Sequence, residues 1–556
     1  MKKPVLITSA LPYINGIKHL GNLIGSILPS DVYARYLRQQ GSEVLFICGT
    51  DEHGTPAEIA AEEADMSIED FCDQMHQTQR DIYESFDIKF DHFGRSSSSE
   101  NTSVTQEIFT RLDDAGFIEE RELEQFFSPH DERFLPDRYV TGTCPKCNFN
   151  KARGDQCDGC GSLLEANELL NPRSTISGHT DLELKKSKHL FLRLDKLTDK
   201  LSPWLASKNW SSTARGIAEK WMAEGLEPRC ITRDLTWGVK VNKTGYEDKV
   251  FYVWFDAPHA YIAITQSWAK LNGDEDAWRY WWQNEDVHYV QFMAKDNVPF
   301  HSVFWPAILL GAQADYHLVD ELKGFNWLNY EDGKFSTSLK RGVFTDQALE
   351  LYPADYWRFA LLANTPDASD SSFSFSMFGQ EINKGLADVL GNFVARVDAL
   401  SNKYFDRTYT QDFEPDNALI SKVTLQTKLI ASRVDELKFH LAINELRNLW
   451  SIGNEYITNS APWAVLKVDI NEGARILKHC LWLWRLFGIV TSPFCPTIAK
   501  QVVSAFDIQD IESISWEAAL KTDFLNNGFK HGKNLFYIQK VTIEEIGELE
   551  KKFSGR

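Results

Sequence analysis

His19, Gly21 and Asn22 stand together in His19-Leu20-Gly21-Asn22, just after an apolar run that closes on Leu11-Pro12-Tyr13. Gly21 leaves the backbone bare where a planar or phosphate group can approach. His19 and Asn22 are about one helical turn apart, and a helix that begins there offers its free amide donors to an anion. A second cluster lies between Gly333 and Gly342. It carries Lys334, Ser336, Thr337, Ser338, Lys340 and Arg341. Hydroxyls and cations in a glycine-bracketed loop suit a polyphosphate whose leaving oxygens gather charge. Taken singly, the two patterns also fit a helix cap and a solvated turn.

Cys144-Pro145-Lys146-Cys147 and Cys157-Asp158-Gly159-Cys160 form two Cys-x-x-Cys knuckles. Four thiolates at this spacing suit a closed tetrahedral Zn2+ site, which is structural and leaves no position open for catalysis. A third pattern is aromatic. Trp254 and Tyr261 follow the run Phe251 to Pro258, and His301 and Trp305 follow Pro299-Phe300. These four can close a box around an apolar, polarizable side chain, although plain core packing would use the same residue types.

These residues need elements to hold them. Residues 4–10 read as a buried strand, Leu20 to Gln40 as a helix stopped by Gly41, and Val44 to Cys48 as a second buried strand. That order is a parallel βαβ unit with a ligand crevice at the strand ends. Residues 116–230 differ in character. They hold the cysteine knuckles and an acid-rich stretch, Ser174 to Glu227, expected to be helical. Strand-like runs return at Lys249 to Phe255 and Val287 to Phe292, with a helix after Phe300. From Asn383 the apolar spacing is helical only, as in a bundle. The tail from Lys521 has a strand-like Leu535 to Ile538. The expected fold class is α/β: a Rossmann-like parallel-sheet domain, split by a zinc-binding insertion, then an α-helical bundle.

The chain has 556 residues, 43% hydrophobic and 25% charged, which fits a globular protein of several domains. No apolar run approaches the ~20 residues of a membrane span. Pro4 and Pro12 confine the first apolar run to less than a secretory signal requires, so a cytoplasmic protein is expected. Cys48, Cys72, Cys230, Cys480 and Cys495 stand singly, as buried thiols do. A net charge of −20 excludes a uniformly basic nucleic-acid coat. The acidic excess lies in the first 380 residues, so the nearly neutral remainder is the better place to meet a polyanion.

In order along the chain, these motifs resemble the class I aminoacyl-tRNA synthetases, and among them the methionyl-tRNA synthetase family, over about residues 4–540. The run is Ser9-Ala10-Leu11-Pro12-Tyr13, His19 to Asn22, Thr50-Asp51-Glu52-His53-Gly54-Thr55-Pro56, the cysteine knuckles, Ile231 to Gly238, Tyr252 to Pro258, Phe300 to Pro306 and the Lys334 loop. The resemblance implies a two-step reaction. Methionine and ATP give methionyl-adenylate and diphosphate. The 2′-hydroxyl of the terminal adenosine of tRNA(Met) then takes the methionyl group. Mg2+ would accompany ATP.

By the same resemblance His19, Asn22, Lys334, Ser336 and Lys340 would act on the phosphates. Tyr13, Gly21, Asp296 and Thr337 would complete the ATP site, with Asp296 at the ribose. Asp51 would hold the substrate ammonium. Leu11, Tyr13, Trp254, Ala257, Pro258, Tyr261, His301 and Trp305 would line the side-chain pocket. Asn392, Arg396 and Trp463 would read the anticodon, an indole and a guanidinium being the usual partners of unstacked bases.

Two departures stand out. Asn22 replaces a frequent second histidine, and Thr337 replaces a second lysine, with Lys340 or Arg341 as the substitute cation. The expected division is a catalytic fold at 1–115 and 231–325, a connective insertion at 116–230, a phosphate-loop and stem-contact region at 326–380, an anticodon-binding bundle at 381–520 and a returning tail at 521–556. The insertion is too short for the editing domain of the longer class I enzymes. With no appended domain before Arg556, a monomer is expected. A class I synthetase for another amino acid and a non-catalytic tRNA-binding paralogue are the alternative readings.

Overall fold

The computed structural model describes residues 2–555 apart from 155, 156, 158, 161, 163, 332, 336–340, 412, 526 and 527. Strand β1 (Val5–Ser9) is wholly buried and sits at the centre of a five-stranded parallel sheet. On one side lie β2 (Val44–Thr50) and β3 (His92–Arg95). Across β1, Ile7 pairs with Phe46 on β2 and with Val290 on the far side. Largely apolar strands such as β1 and β2 are what a sheet covered on both faces requires.

Helix α1 follows β1 and runs through three segments, Leu20–Asn22, Leu23–Ile27 and Leu28–Gln39. Its middle segment is a π turn, which the apolar spacing does not reveal. That turn brings Ser26 to the sheet: its hydroxyl accepts from the Ala10 amide at 2.9 Å and donates to the Phe292 carbonyl at 2.9 Å. Inserted turns of this kind recur where a helix must aim side chains at a site.

The insertion departs from expectation. Ser174 to Glu227 is helical only in its second part, at Thr198–Ala206 and Ser212–Glu224. The preceding Glu183–Leu192 is a strand (β5), antiparallel to β4 (Ile118–Ser128), with Ile118 opposite Leu192 and Phe127 opposite Glu183. Pairing overrides the charge-rich composition: Lys185, Lys186 and Lys188 of β5 are exposed, while Leu190 and Leu192 further along it are buried.

The run Lys249 to Phe255 also differs. Only Val250–Phe251 is strand; Val253–Asp256 is already helical and leads into the helix Ala260–Leu271. Strand β6 (His288–Ala294) then enters the sheet beside β1, and β7 (Glu321–Phe325) pairs outside it. The chain therefore grows in one direction from β1 through β2 and β3, and in the other through β6 and β7. A crevice opens at such a reversal, beyond the carboxyl ends of the strands.

The C-terminal part is helical, with Asn392–Phe405, Asn417–Asp435, Phe439–Ser460 and Ile470–Thr491 as its long members. Arg358, fully buried, ties this bundle to α1. Its guanidinium donates to Asp31 on α1 at 2.7 Å and to the carbonyls of Pro493 and Phe494 at 3.1 and 2.9 Å. Leu535 to Ile538 forms no strand; the Phe536 backbone bonds the Asn534 side chain instead, with Phe536 and Ile538 buried and Leu535 and Tyr537 exposed. The final helix, Ile543–Lys552, brings the tail back, and the Phe553 carbonyl accepts from the Gly342 amide at 3.0 Å. No helix among the described residues is long and apolar enough to cross a membrane.

Candidate functional site

A cavity of about 350 Å3 occupies the crevice, lined by the segments that leave β1, β2 and β6. One end is apolar. Leu11, Trp254, Ala257, Pro258, Tyr261 and His301 line it, and Tyr13 meets Trp254 edge-on. The π turn Phe300–Phe304 carries His301 into the wall. The Nδ1 of His301 donates to the Asn297 carbonyl at 3.1 Å, which leaves Nε2 to accept from the Tyr261 hydroxyl at 3.2 Å. Burial pulls the His301 pKa down to about 4, so the imidazole is neutral. Trp305 is not part of the lining. It stands one layer back, against Tyr261 and His301, with ring centroids 5.8 and 6.3 Å away. The i,i+4 spacing that suggested a fourth wall is altered by the π turn.

Asp51 lies midway. Its backbone is pinned to the segment leaving β1, through Asp51 N to the Pro12 carbonyl at 2.9 Å and Ile14 N to the Asp51 carbonyl at 2.8 Å. The carboxylate is buried, and its Oδ1 has no protein partner. Burial raises its pKa well above the ordinary carboxylate value. Asp256 and Glu52 add to the rise, and Lys18 opposes it. A buried carboxylate in this condition gains most from an incoming cation.

The other end is polar. His19 precedes α1, and its ring stacks on Phe335 at 4.5 Å with 7° between the planes. Burial, with the Lys18 charge, lowers the His19 pKa to about 4. A Cβ on Gly21 would come within 2.9 Å of the His19 ring and 3.2 Å of the Leu328 carbonyl, so only glycine fits there. Asn22 turns its Oδ1 back to accept from the His19 amide at 3.2 Å, and both residues line the cavity. Asp296 accepts from the indole N–H of Trp327 at 3.1 Å. Lys334 lies over the same indole, 5.1 Å from the ring centre. Ser336, Thr337 and Lys340 fall outside the described residues.

The structure thus brings Leu11, Tyr13, His19, Gly21, Asn22, Asp51, Trp254, Ala257, Pro258, Tyr261, Asp296, His301 and Lys334 to one cavity. Arg341, at the base of the loop, donates to the Tyr330 carbonyl at 3.1 Å. Gly342 has φ +90°, and a Cβ there would strike the Phe335 ring. Sequence reasoning passed over Lys18, Trp327 and Phe335. Lys18 and Phe335 lie inside motifs already singled out, but nothing in their type or spacing marked them.

The four thiols form a second centre. Their sulfurs lie within 4.8 Å of one another, with Cys144 to Cys160 at 4.0 Å and Cys147 to Cys157 at 3.6 Å. These separations are far longer than a disulfide and near the ~3.8 Å edge of a tetrahedron of zinc thiolates. The Lys146 amide also donates to Cys144 Sγ at 3.4 Å. None of the four cysteines lines the cavity. In the bundle, the Arg396 guanidinium lies 5.2 Å from the centre of the Trp463 ring, and Trp463 is 38% exposed. Asn392 is exposed one turn before Arg396.

A parallel sheet with its reversal at β1, and a cavity that joins an apolar pocket to a glycine-backed anion site, define a class I synthetase architecture. Residues 5–398 match the family of class I tRNA synthetases (M), and residues 409–556 match the anticodon-binding domain of methionyl-tRNA ligase. The methionine–tRNA ligase 1 of Acaryochloris marina is 48% identical over 99% of both chains. The methionine–tRNA ligase of Streptomyces avermitilis is 47% identical, again over 99% of both. The fold is also that of Mycobacterium tuberculosis methionyl-tRNA synthetase bound by methionyl-adenylate, with a TM-score of 0.77 at 23% identity, covering 97% of this chain and 100% of that one. The chain belongs to the methionyl-tRNA synthetase family, and its reaction is methionine–tRNA ligation.

Proposed function

We propose that the cavity performs adenylation with the residues that line it in the following roles. The methionine side chain enters the pocket of Leu11, Trp254, Ala257, Pro258, Tyr261 and His301, supported from behind by Trp305. A neutral, polarizable wall suits a thioether. Asp51 takes the substrate ammonium. ATP lies along Gly21 with Asp296 at its ribose, and His19 and Asn22 donate to its phosphates. Lys334 meets the diphosphate, and Ser336, Thr337 and Lys340 join it as the loop closes. Tyr13 separates the two substrates.

The methionine carboxylate then attacks the α-phosphorus. A carboxyl oxygen–phosphorus bond forms and the bond to diphosphate breaks, the electron pair leaving with diphosphate. No side chain exchanges a proton, so the work of the protein is alignment and charge stabilisation. Mg2+ bound with ATP would offset phosphate charge. The 2′-hydroxyl of the terminal adenosine of tRNA(Met) next attacks the acyl carbon: the ester bond forms, the acyl–phosphate bond breaks, and AMP leaves with the electron pair, its phosphate taking the hydroxyl proton. Asn392, Arg396 and Trp463, on the helical bundle, read the anticodon.

The observation that carries this reading is the buried carboxylate of Asp51, its Oδ1 unpartnered, between an apolar pocket and an anion site. Methionine-dependent ATP–diphosphate exchange tests it. Exchange that persists in Asp51→Ala and His19→Ala would refute the roles given to both. Residues 1–115 and 231–325 form the catalytic fold in this reading, 116–230 the connective insertion, 326–380 the loop and stem-contact region, 381–520 the anticodon bundle and 521–556 the returning tail. The protein acts as a monomer in the cytoplasm.

The four cysteines hold one Zn2+, which folds the insertion. Metal analysis of Cys147→Ser should show loss of zinc together with a lower melting temperature, because binding and folding are coupled at such a site. Full metal content would refute the assignment.

A further inference from the structure

Among the described residues, the cavity contains two lysines and no arginine: Lys334, on the loop, and Lys18, on its floor. Their settings differ. Lys334 is exposed and lies over an indole. Lys18 is half-buried and built in. The Lys18 carbonyl accepts from both the amide and the hydroxyl of Thr345, each at 2.9 Å, so its backbone is held from the segment just beyond the phosphate loop. Its Nζ donates to Asn15 Oδ1 at 3.0 Å. In sequence it adjoins His19, and its charge acts on both His19 and Asp51.

That position has a chemical meaning. The site reading puts the methionine ammonium at Asp51 and the phosphates at His19. The methionine carboxylate and the α-phosphate must therefore meet between those two residues, in the cavity that Lys18 lines together with both. Two anions are forced together there, and burial leaves His19 neutral. Among the described residues that line the cavity, Lys18 is the one lysine outside the loop that carries Lys334.

We propose that Lys18 is a catalytic residue of adenylation, its ammonium bridging the attacking carboxylate and the α-phosphate oxygens as the bond between them forms. Without substrates, its ammonium rests on Asn15. Neutralisation of Asp51 by the methionine ammonium frees the Lys18 charge to turn from Asn15 toward the approaching phosphate. With ATP bound it is protonated during the step: the carboxyl oxygen–phosphorus bond forms, the bond to diphosphate breaks, and no proton moves. Burial lowers the Lys18 pKa to about 7, partly offset by Asp51, and a polyanion beside it restores the charged form. The inference rests on the site reading above, because it needs Asp51 and His19 to mark the two substrates.

The test is single-turnover adenylate formation by the full-length protein at saturating methionine and ATP, with Lys18→Met and Lys18→Arg compared. The methionine variant should form adenylate roughly 30- to 300-fold more slowly, the range expected for loss of one donor to developing charge. Methionine and ATP affinities should change less than about threefold. The arginine variant should recover most of the rate. Lys18→Met within threefold of wild type overturns the proposal. So does tighter methionine binding with no loss of rate, which would make Lys18 a mere occupant of Asp51. A loss that arginine does not recover, with a lowered melting temperature, marks a structural role and also overturns it. Asp51→Ala and His19→Ala are assayed alongside: if they retain wild-type rates the site reading has failed, whatever Lys18 does.

Discussion

The two ends of the cavity are built on opposite plans. The apolar end is finished before any substrate arrives. Tyr261, His301 and the Asn297 carbonyl form a closed chain of hydrogen bonds, and Trp254 stacks on Phe300 at 3.6 Å. The polar end is unfinished. His19 spends its ring face on Phe335, Asp296 is held by an indole, and Lys334 is exposed. The contrast follows from what each end must do. A side chain that only has to be recognised is best met by a rigid pocket, whereas charge that appears only during reaction must be met by groups that arrive with it. Changes at the apolar end should therefore move affinity, and changes at the polar end should move rate.

Asp51 stands between the ends and gives the largest effect. Asp51→Asn removes the charge that receives the ammonium. Breaking such a buried pair costs about 3–5 kcal/mol, and kcat/KM for exchange should fall roughly 150- to 5000-fold. Unchanged kcat/KM would mean that the ammonium binds elsewhere and that the two ends meet at another point.

Trp463 tests whether the contrast is confined to the cavity. Trp463→Ala should lower aminoacylation by roughly 5- to 150-fold, the worth of one stacked base, while exchange stays nearly intact. An equal loss in both assays would make Trp463 part of the core that the two reactions share.

Behind the apolar end lies His259, fully buried with neither ring nitrogen partnered. Burial holds its pKa at about 3. The unfolded chain binds its proton near pH 6.5, so this residue favours the unfolded state increasingly as pH falls from 6.5 toward 3. At pH 5 the penalty reaches about 2 kcal/mol. His259→Ile should raise the melting temperature, and by more at pH 5 than at pH 7.5. An equal gain at both pH values would show that the imidazole is not kept neutral.

A smaller change sharpens the affinity side. Tyr261→Phe leaves His301 Nε2 without its donor, worth about 1–2 kcal/mol. The KM for methionine should rise roughly 5- to 30-fold with kcat held. A fall in kcat would show that this hydrogen bond strengthens during reaction.

The legible parts of this molecule were those with backbone rules. Bare glycine beside His19, four spaced thiols and apolar strands of five to seven residues each have one economical solution. The parts that were not legible depend on partners distant in sequence. The lysine-rich strand Glu183–Leu192 exists because Ile118–Ser128 lies beside it. The aromatic run after Phe251 turns helical although its residues favour strands. The π turns at Leu23–Ile27 and Phe300–Phe304 shift the side chains beyond them, which is why Trp305 sits behind the pocket and not in it. Lys18 was invisible for another reason: a lysine in a loop is usually solvated, and only the fold shows that the cavity wraps around this one.

The central claim, that one end binds and the other reacts, is tested most directly by kcat and KM for methionine in ATP–diphosphate exchange, with Lys334→Ala and Tyr261→Phe measured side by side. Lys334→Ala should lower kcat by about 100-fold or more and leave the KM for methionine within threefold, while Tyr261→Phe does the reverse. A Lys334→Ala enzyme with normal kcat and a raised KM for methionine would contradict the account.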